Sequence, residues 1–75
     1  MSELSSIKSQ ALTERIEERL FAYILDNHLQ VGAKLPNEHE LAAHFEVSRG
    51  TVREAVKLLV SRGVLRVKHG SGTYV

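Results

Sequence analysis

Leu35-Pro-Asn-Glu-His-Glu-Leu-Ala-Ala-His-Phe-Glu-Val-Ser-Arg-Gly-Thr-Val-Arg-Glu-Ala55 reads as two short helices joined by a tight turn. Asn37 is a favoured helix N-cap, and Glu40 three residues later completes a capping-box pattern. Leu41, Ala42 and Phe45 then follow the apolar spacing of a helix that faces a core. Val47 is the apolar residue of the turn, and Ser48 is a second N-cap. The second helix is predicted from Ser48 to about Arg62, where Gly63 takes the left-handed position that ends it.

That second helix divides cleanly into two sides. With Arg49 at the origin and about 100° per residue, Arg53 falls near 40° and Lys57 near 80°. Val52, Ala55, Leu59 and Val56 cluster between about 240° and 340°, an apolar side that docks on a core. The cationic stripe starts at the helix N-terminus, which suits a helix laid in the DNA major groove. Arginine carries a planar fork that makes two hydrogen bonds to guanine O6 and N7. Ser48 and Thr51 add hydroxyls, and the free N–H groups of the helix start can hold phosphate. Gly50 lets backbone approach a duplex closely, although glycine this early in a helix lowers its stability. The plainer alternative is a solvated face, with Arg53 paired to a nearby glutamate.

Upstream, residues 1–10 are Ser-rich and polar and are expected to form a flexible N-terminal arm or the frayed start of a helix. From about Ala11, Leu12, Ile16, Leu20, Tyr23 and Ile24 repeat at helical spacing, which predicts a helix ending near His28. Residues 29–36 form a linker in which Gly32 turns the chain, with room for a short strand at Lys34-Leu35. After Gly63 the period shifts to two. Val64, Leu65 and Val67, then Thr73-Tyr-Val75, read as a β-hairpin around a Gly-containing tip at 68–72. Lys68, His69 and Gly70 make that tip basic and flexible. Phe21, Tyr23 and Phe45 are expected in the core rather than as stacking platforms.

Seventy-five residues make one small domain, and without cysteine there is neither a disulfide framework nor a thiolate metal site. His28, His39, His44 and His69 show no metal-ligand spacing, so no metal and no cofactor is expected. No apolar run reaches the ~20 residues of a membrane span. The net charge of +1 conceals a division. Residues 1–47 hold four basic and eight acidic side chains, a balance of −4, whereas residues 48–75 hold six basic ones against Glu54 alone, a balance of +5. A basic second half points to a polyanionic partner. No nucleophile–base pair or phosphate loop is present, which argues against an enzyme.

Four blocks in order carry a resemblance: Gly32-x-x-Leu35-Pro36-x-Glu38-x-Glu40-Leu41-Ala42, Val47-Ser48-Arg49-x-x-Val52-Arg53-Glu54-Ala55, Leu59-x-x-x-Gly63-x-Leu65, and Gly70-x-Gly72-Thr73-x-Val75. Together they closely resemble the GntR-family winged helix-turn-helix domain over about residues 11–75, with a weaker lean to its FadR-like branch. The resemblance implies a mainly α fold with a small β-hairpin: three helices and a two-stranded wing, with a short third strand allowed. It implies a bacterial transcription regulator, mostly of the repressor kind, that binds pseudo-palindromic operators in double-stranded DNA as a homodimer. Such a protein is cytoplasmic and nucleoid-associated. Residues matching the family's DNA contacts are Ser48, Arg49, Gly50, Thr51 and Arg53 on the helix, with His69 and Gly70 at the wing tip. Lys57 and Lys68 adjoin them.

Three departures stand out. His39 occupies a position where many members have a DNA-contacting arginine, and a neutral imidazole weakens that contact or ties it to pH. Gly50-Thr51 replaces a commoner Thr-Pro pair, which bears on half-site preference. Members also carry a larger C-terminal effector and dimerisation domain, whereas this chain stops at the wing. The expectation is therefore an isolated DNA-binding domain, monomeric by itself, with any small-molecule effector acting only through the missing domain. The rival reading is a winged-helix protein-interaction module that meets nucleic acid incidentally.

Overall fold

No glycine or proline interrupts residues 3–26, and helix α1 (Glu3–Asp26) runs through all of them. The computed structural model describes the backbone of residues 3–75 and the side chains of residues 9–75. The arm expected over 1–10 is thus helical from Glu3, and residues 1–2 lie outside the described residues. The physical reason is that a nucleated helix gains one backbone hydrogen bond per added residue, and serines alone do not stop it. Helix α2 (Glu38–Phe45), helix α3 (Arg49–Ser61) and an antiparallel hairpin of β1 (Arg66–Lys68) and β2 (Gly72–Tyr74) complete the fold. This is the expected winged helix-turn-helix arrangement.

All three helices stop in the same way. Leu29 N–H reaches Ile24 O, Val47 N–H reaches Ala42 O, and Val64 N–H reaches Leu59 O, each with a left-handed residue just before the donor. These are Schellman motifs, which satisfy carbonyls left over at a helix end. The left-handed residues are His28, Glu46 and Gly63, with φ of 53°, 58° and 79°. Only the last is a glycine.

The core is built from Leu20 and Ile24 of α1, Leu41 and Ala42 of α2, Val52 and Leu59 of α3, and Leu35 and Leu65 of the connections. Tyr23, Phe45 and Val47 pack partly buried against it, as expected. Phe21 and Leu12 do not: each is 42% exposed. They lie on opposite flanks of the α1 stripe that carries the buried Ile16, Leu20 and Ile24, about 180° apart round the helix. At the far end of α3, Arg62 Nε lies 3.0 Å from Oε2 of the buried Glu17, an ion pair without aligned hydrogen-bond geometry.

Two strand expectations need correction. Val64 and Leu65 leave α3 through the Schellman turn, so β1 starts at Arg66. The short third strand reduces to one antiparallel bridge, Lys34 to Tyr74. Gly32 with φ of 94° on one side and Pro36, which has no N–H, on the other leave little extended chain between them. Even so, that stretch holds β2 firmly. Leu35 N–H donates to Thr73 O, Val75 N–H to Ala33 O, and Gly32 N–H to Val75 O, each at 2.9 Å.

Candidate nucleic-acid interface

Two caps place the helices that form the site. Asn37 Oδ1 accepts from Glu40 N–H at 2.8 Å, and Asn37 N–H donates back to Glu40 Oε1 at 2.9 Å, so the predicted capping box is complete. Ser48 Oγ accepts from Thr51 N–H at 3.1 Å and shares a 2.9 Å hydrogen bond with the Thr51 hydroxyl. Ser48 is therefore an N-cap first. Between the caps, Glu46 and Val47 form a turn so short that α3 begins three residues after Glu46.

With Val52, Ala55 and Leu59 buried, the opposite side of α3 presents Arg49, Arg53 and Lys57 to solvent. These cations are not bare. Arg53 donates from Nε to Glu38 Oε2 and from Nη2 to Glu38 Oε1, both at 2.9 Å. Arg49 Nε lies 3.5 Å from the same Oε1. Lys57 donates to Glu54 one turn back at 3.2 Å. The hydrogen bonds from Arg53 hold the Glu38 carboxyl below the usual carboxylate range, and the same bonds raise the Arg53 guanidinium further above its ordinary value. The alternative of an Arg53–glutamate pair is thus present, and it coexists with an exposed cationic face.

Gly50 is exposed, and a Cβ added there would meet nothing nearer than Ser48 Oγ at 3.8 Å. Nothing within the chain requires a glycine at this position. His39, next to Glu38 on the outer side of α2, is exposed. His44 stacks edge-on with Tyr23 and Phe45 and so belongs to the packing of α2 on α1.

The wing brings a second basic group alongside. Lys68, His69 and Gly70 are exposed at its tip, where Ser71 N–H closes the turn on Lys68 O at 3.0 Å. Lys68 Nζ lies 5.6 Å from the centroid of the Tyr74 ring, and Ser71 and Tyr74 share a hydroxyl hydrogen bond. A cleft of about 400 Å³ separates α3 from the wing. Leu41, Val52 and Val56 form its floor, and Glu38, Arg53, Lys57 and His69 form its rim. The structure therefore gathers Arg53, Lys57 and His69 around one opening, with Arg49, Gly50 and Ser48 further along the start of α3. Lys68 and Gly70 border a neighbouring cleft that also includes Lys34 and Asn37.

Sequence reasoning passed over Lys34 and Tyr74. Lys34 Cε would sit 2.7 Å from a Cβ at Gly72, so Gly72 lets this side chain pass beneath the wing. No local pattern marks that contact. Among the described residues, no group of three His, Asp or Glu side chains could hold a metal ion, and no helix is long and apolar enough to cross a membrane.

Comparison with known proteins gives a consistent set of matches. The family described as bacterial regulatory proteins, gntR family, matches residues 12–75. The arabinose metabolism transcriptional repressor of Geobacillus stearothermophilus is 36% identical over 61 residues, covering 81% of this chain and 17% of that protein. The solved structure of Streptococcus agalactiae GntR superposes with a TM-score of 0.81 at 51% identity, over 84% of this chain and 31% of that one. AraR(DBD) in complex with operator ORX1 gives a TM-score of 0.78 at 36% identity, over 85% of this chain and 77% of that one. The chain spans 17% of the Geobacillus repressor's length, 25% of a putative L-lactate dehydrogenase operon regulatory protein and 31% of a probable fructoselysine utilization operon transcriptional repressor, both of Escherichia coli.

Proposed function

The chain belongs to the gntR family of bacterial regulatory proteins, and from that premise we propose that it reads a half-site of double-stranded operator DNA, with α3 in the major groove and the wing at the adjacent minor groove. The observation that carries this reading is the arginine face of α3, set on a buried apolar side and flanked by a basic wing tip across one cleft. The likeness to an AraR DNA-binding domain held on an operator supports it.

Each residue has a part in the proposal. Arg53 and Arg49 read base edges or hold phosphate. Ser48, Thr51 and the free N–H groups of the α3 start hold backbone phosphate, and Gly50 admits the duplex. Lys57 adds attraction along the groove, His39 approaches from α2, and Lys68, His69 and Gly70 follow the minor groove. The longer protein of which this would be the DNA-binding part dimerises on a pseudo-palindrome and acts as a repressor in the bacterial cytoplasm, at the nucleoid. Its effector would bind a separate domain. Placement in a FadR-like branch rests on the wording of the recognition helix and hairpin alone, and the proposal does not depend on it.

Selection from a random duplex pool, with the domain fused to a dimerising partner, tests the function. Enrichment of an inverted repeat is the expected result. Binding that only fades with salt, at a slope of ~0.9 per phosphate contact and with no enriched sequence, would mean a generic polyanion surface. Arg53→Ala should then lose ~1–3 kcal/mol on the selected site and relax base choice there. Unchanged affinity together with unchanged preference would remove Arg53 from the reading.

A further inference from the structure

Glu38 is a carboxylate on a surface that the proposed function turns towards a polyanion. Its backbone position is fixed, because it is the first residue of α2 and lies within the Asn37–Glu40 capping box. From there its side chain crosses to α3 and meets an arginine 15 residues further on. An exposed pair of this type contributes little to stability, so stability alone is a poor account of it.

The pairing is side-on. Arg53 spends its Nε and one Nη2 hydrogen on the two oxygens of Glu38. A guanidinium has five N–H donors, and two of the three that remain lie on the Nη1/Nη2 edge, directed away from the carboxylate. That edge keeps the parallel pair of donors that matches guanine O6 and N7 or two phosphate oxygens. Arg49 is held differently: its Nε stands 3.5 Å from Oε1, beyond good hydrogen-bond range. One arginine is aligned before contact, and the other is only loosely tethered.

The carboxylate has two consequences for binding. Its charge repels phosphate and weakens every duplex alike. Its alignment of Arg53 strengthens only the duplex whose base meets the free edge. The sum of these two effects is discrimination between sites rather than affinity.

We propose that Glu38 is a specificity-determining positioning residue: by pairing side-on with Arg53 it aims the Nη1/Nη2 edge at one base, and by its charge it suppresses binding to unmatched DNA. This rests on DNA reading by α3 as proposed above.

The test uses the 75-residue chain and two duplexes, the sequence selected by the wild type and a scramble of it, at one fixed salt concentration. For Glu38→Gln, binding to the scramble should tighten and binding to the selected duplex should weaken, with their ratio falling about tenfold or more. The lost preference should fall on the base pair whose preference also vanishes in Arg53→Ala. Glu38→Asp keeps the charge on a shorter arm, so the ratio should fall without tighter binding to the scramble. In an Arg53→Ala background, Glu38→Gln should cause no further loss of preference. A purely structural Glu38 would shift the thermal midpoint and leave the ratio and the base profile alone.

A Glu38→Gln ratio within about twofold of a discriminating wild type overturns this proposal and leaves the DNA-reading function standing. An equal loss with and without Arg53 overturns it too. A wild type that does not distinguish the two duplexes overturns the function itself, and this inference with it.

Discussion

Helix α3 and the wing point basic residues at the same opening, yet the chain holds them in different ways. Helix α3 is capped by Ser48, closed by Gly63, and seated through Val52, Ala55 and Leu59, each 2% exposed or less. Of its two arginines, Arg53 is already hydrogen-bonded in a set position, and Arg49 is loosely tethered to the same carboxylate. The wing consists of two three-residue strands, and β1 is exposed along its whole length. Its base is tied to residues 32–35 by backbone hydrogen bonds, whereas its tip is held by contacts within its own hairpin and by the Lys34 side chain that passes beneath Gly72. A hairpin alone is marginal in water. If α3 reads DNA as proposed, its geometry precedes contact, whereas the wing tip is left freer to adjust to the duplex.

The strongest way to break this contrast is to remove the platform under α3. Leu59 is 2% exposed and takes part in both the core and the final Schellman turn. Leu59→Ala should cost ~2–5 kcal/mol, measured by denaturant unfolding. A domain of this size has little stability to spare, so DNA binding should fail along with folding. A loss below about 1 kcal/mol would show that the site collapses around the smaller side chain and that α3 is less rigidly seated than its burial implies.

A smaller loss is expected at the start of α3. Ser48→Ala removes the acceptor for Thr51 N–H and frees the Thr51 hydroxyl. The expected cost is ~1 kcal/mol in thermal or chemical unfolding. Ser48→Asp should restore most of the stability, since aspartate caps as well as serine. Because its negative charge would face phosphate, the same variant should bind DNA worse than wild type, which separates capping from contact.

Gly50→Ala should move the two properties in opposite directions. Glycine inside a helix is less favourable than alanine by ~1 kcal/mol, and the added Cβ meets only Ser48 Oγ at 3.8 Å. The folded state should therefore gain up to about that amount. Affinity for the selected duplex should fall, because the methyl group stands where backbone would otherwise approach. Equal or tighter binding by Gly50→Ala would remove close approach as the role of this glycine.

These residues also show what could be read from the chain before its shape was known. Asn37, Ser48 and Gly63 announce themselves because capping depends on residue type at one position, and all three act as read. The apolar side of α3 is legible for a similar reason, since a single helix period decides it. The ends of α1 and α2 are less legible. His28 and Glu46 take the left-handed conformation that sequence signals assign to glycine, at a strain of ~1 kcal/mol or more, because the packing of the following residues, Leu29 and Val47, overrides local preference. Phe21 fails as a core residue because periodicity says which side is apolar, not how much of that side a small domain can cover. At the site, the arginine stripe is visible in the helical wheel. A partner glutamate for Arg53 is also anticipated, but the side-on geometry with Glu38 is not, since that pair joins two helices through a turn whose angle no local pattern specifies.

The smallest effect is expected where the chain is least committed, at the wing tip. His69 is exposed and forms part of the cleft rim, and it carries no buried contact whose loss would unfold the domain. His69→Ala should leave the unfolding midpoint in place. On the selected duplex it should weaken binding by the worth of one modest hydrogen bond, ~0.5–1.5 kcal/mol, spread over sequences with little change in the bases read by α3. Tyr74→Phe provides the companion measurement, because it removes the hydroxyl shared with Ser71 and leaves the ring beside Lys68. If loosening the tip in this way reproduces the loss seen with His69→Ala, the wing contributes by being held near the groove. If only His69→Ala weakens binding, the imidazole itself makes the contact. A change in the helix-read bases with either variant would mean that the two surfaces are coupled, and the division between a preset helix and an adjustable wing would no longer stand.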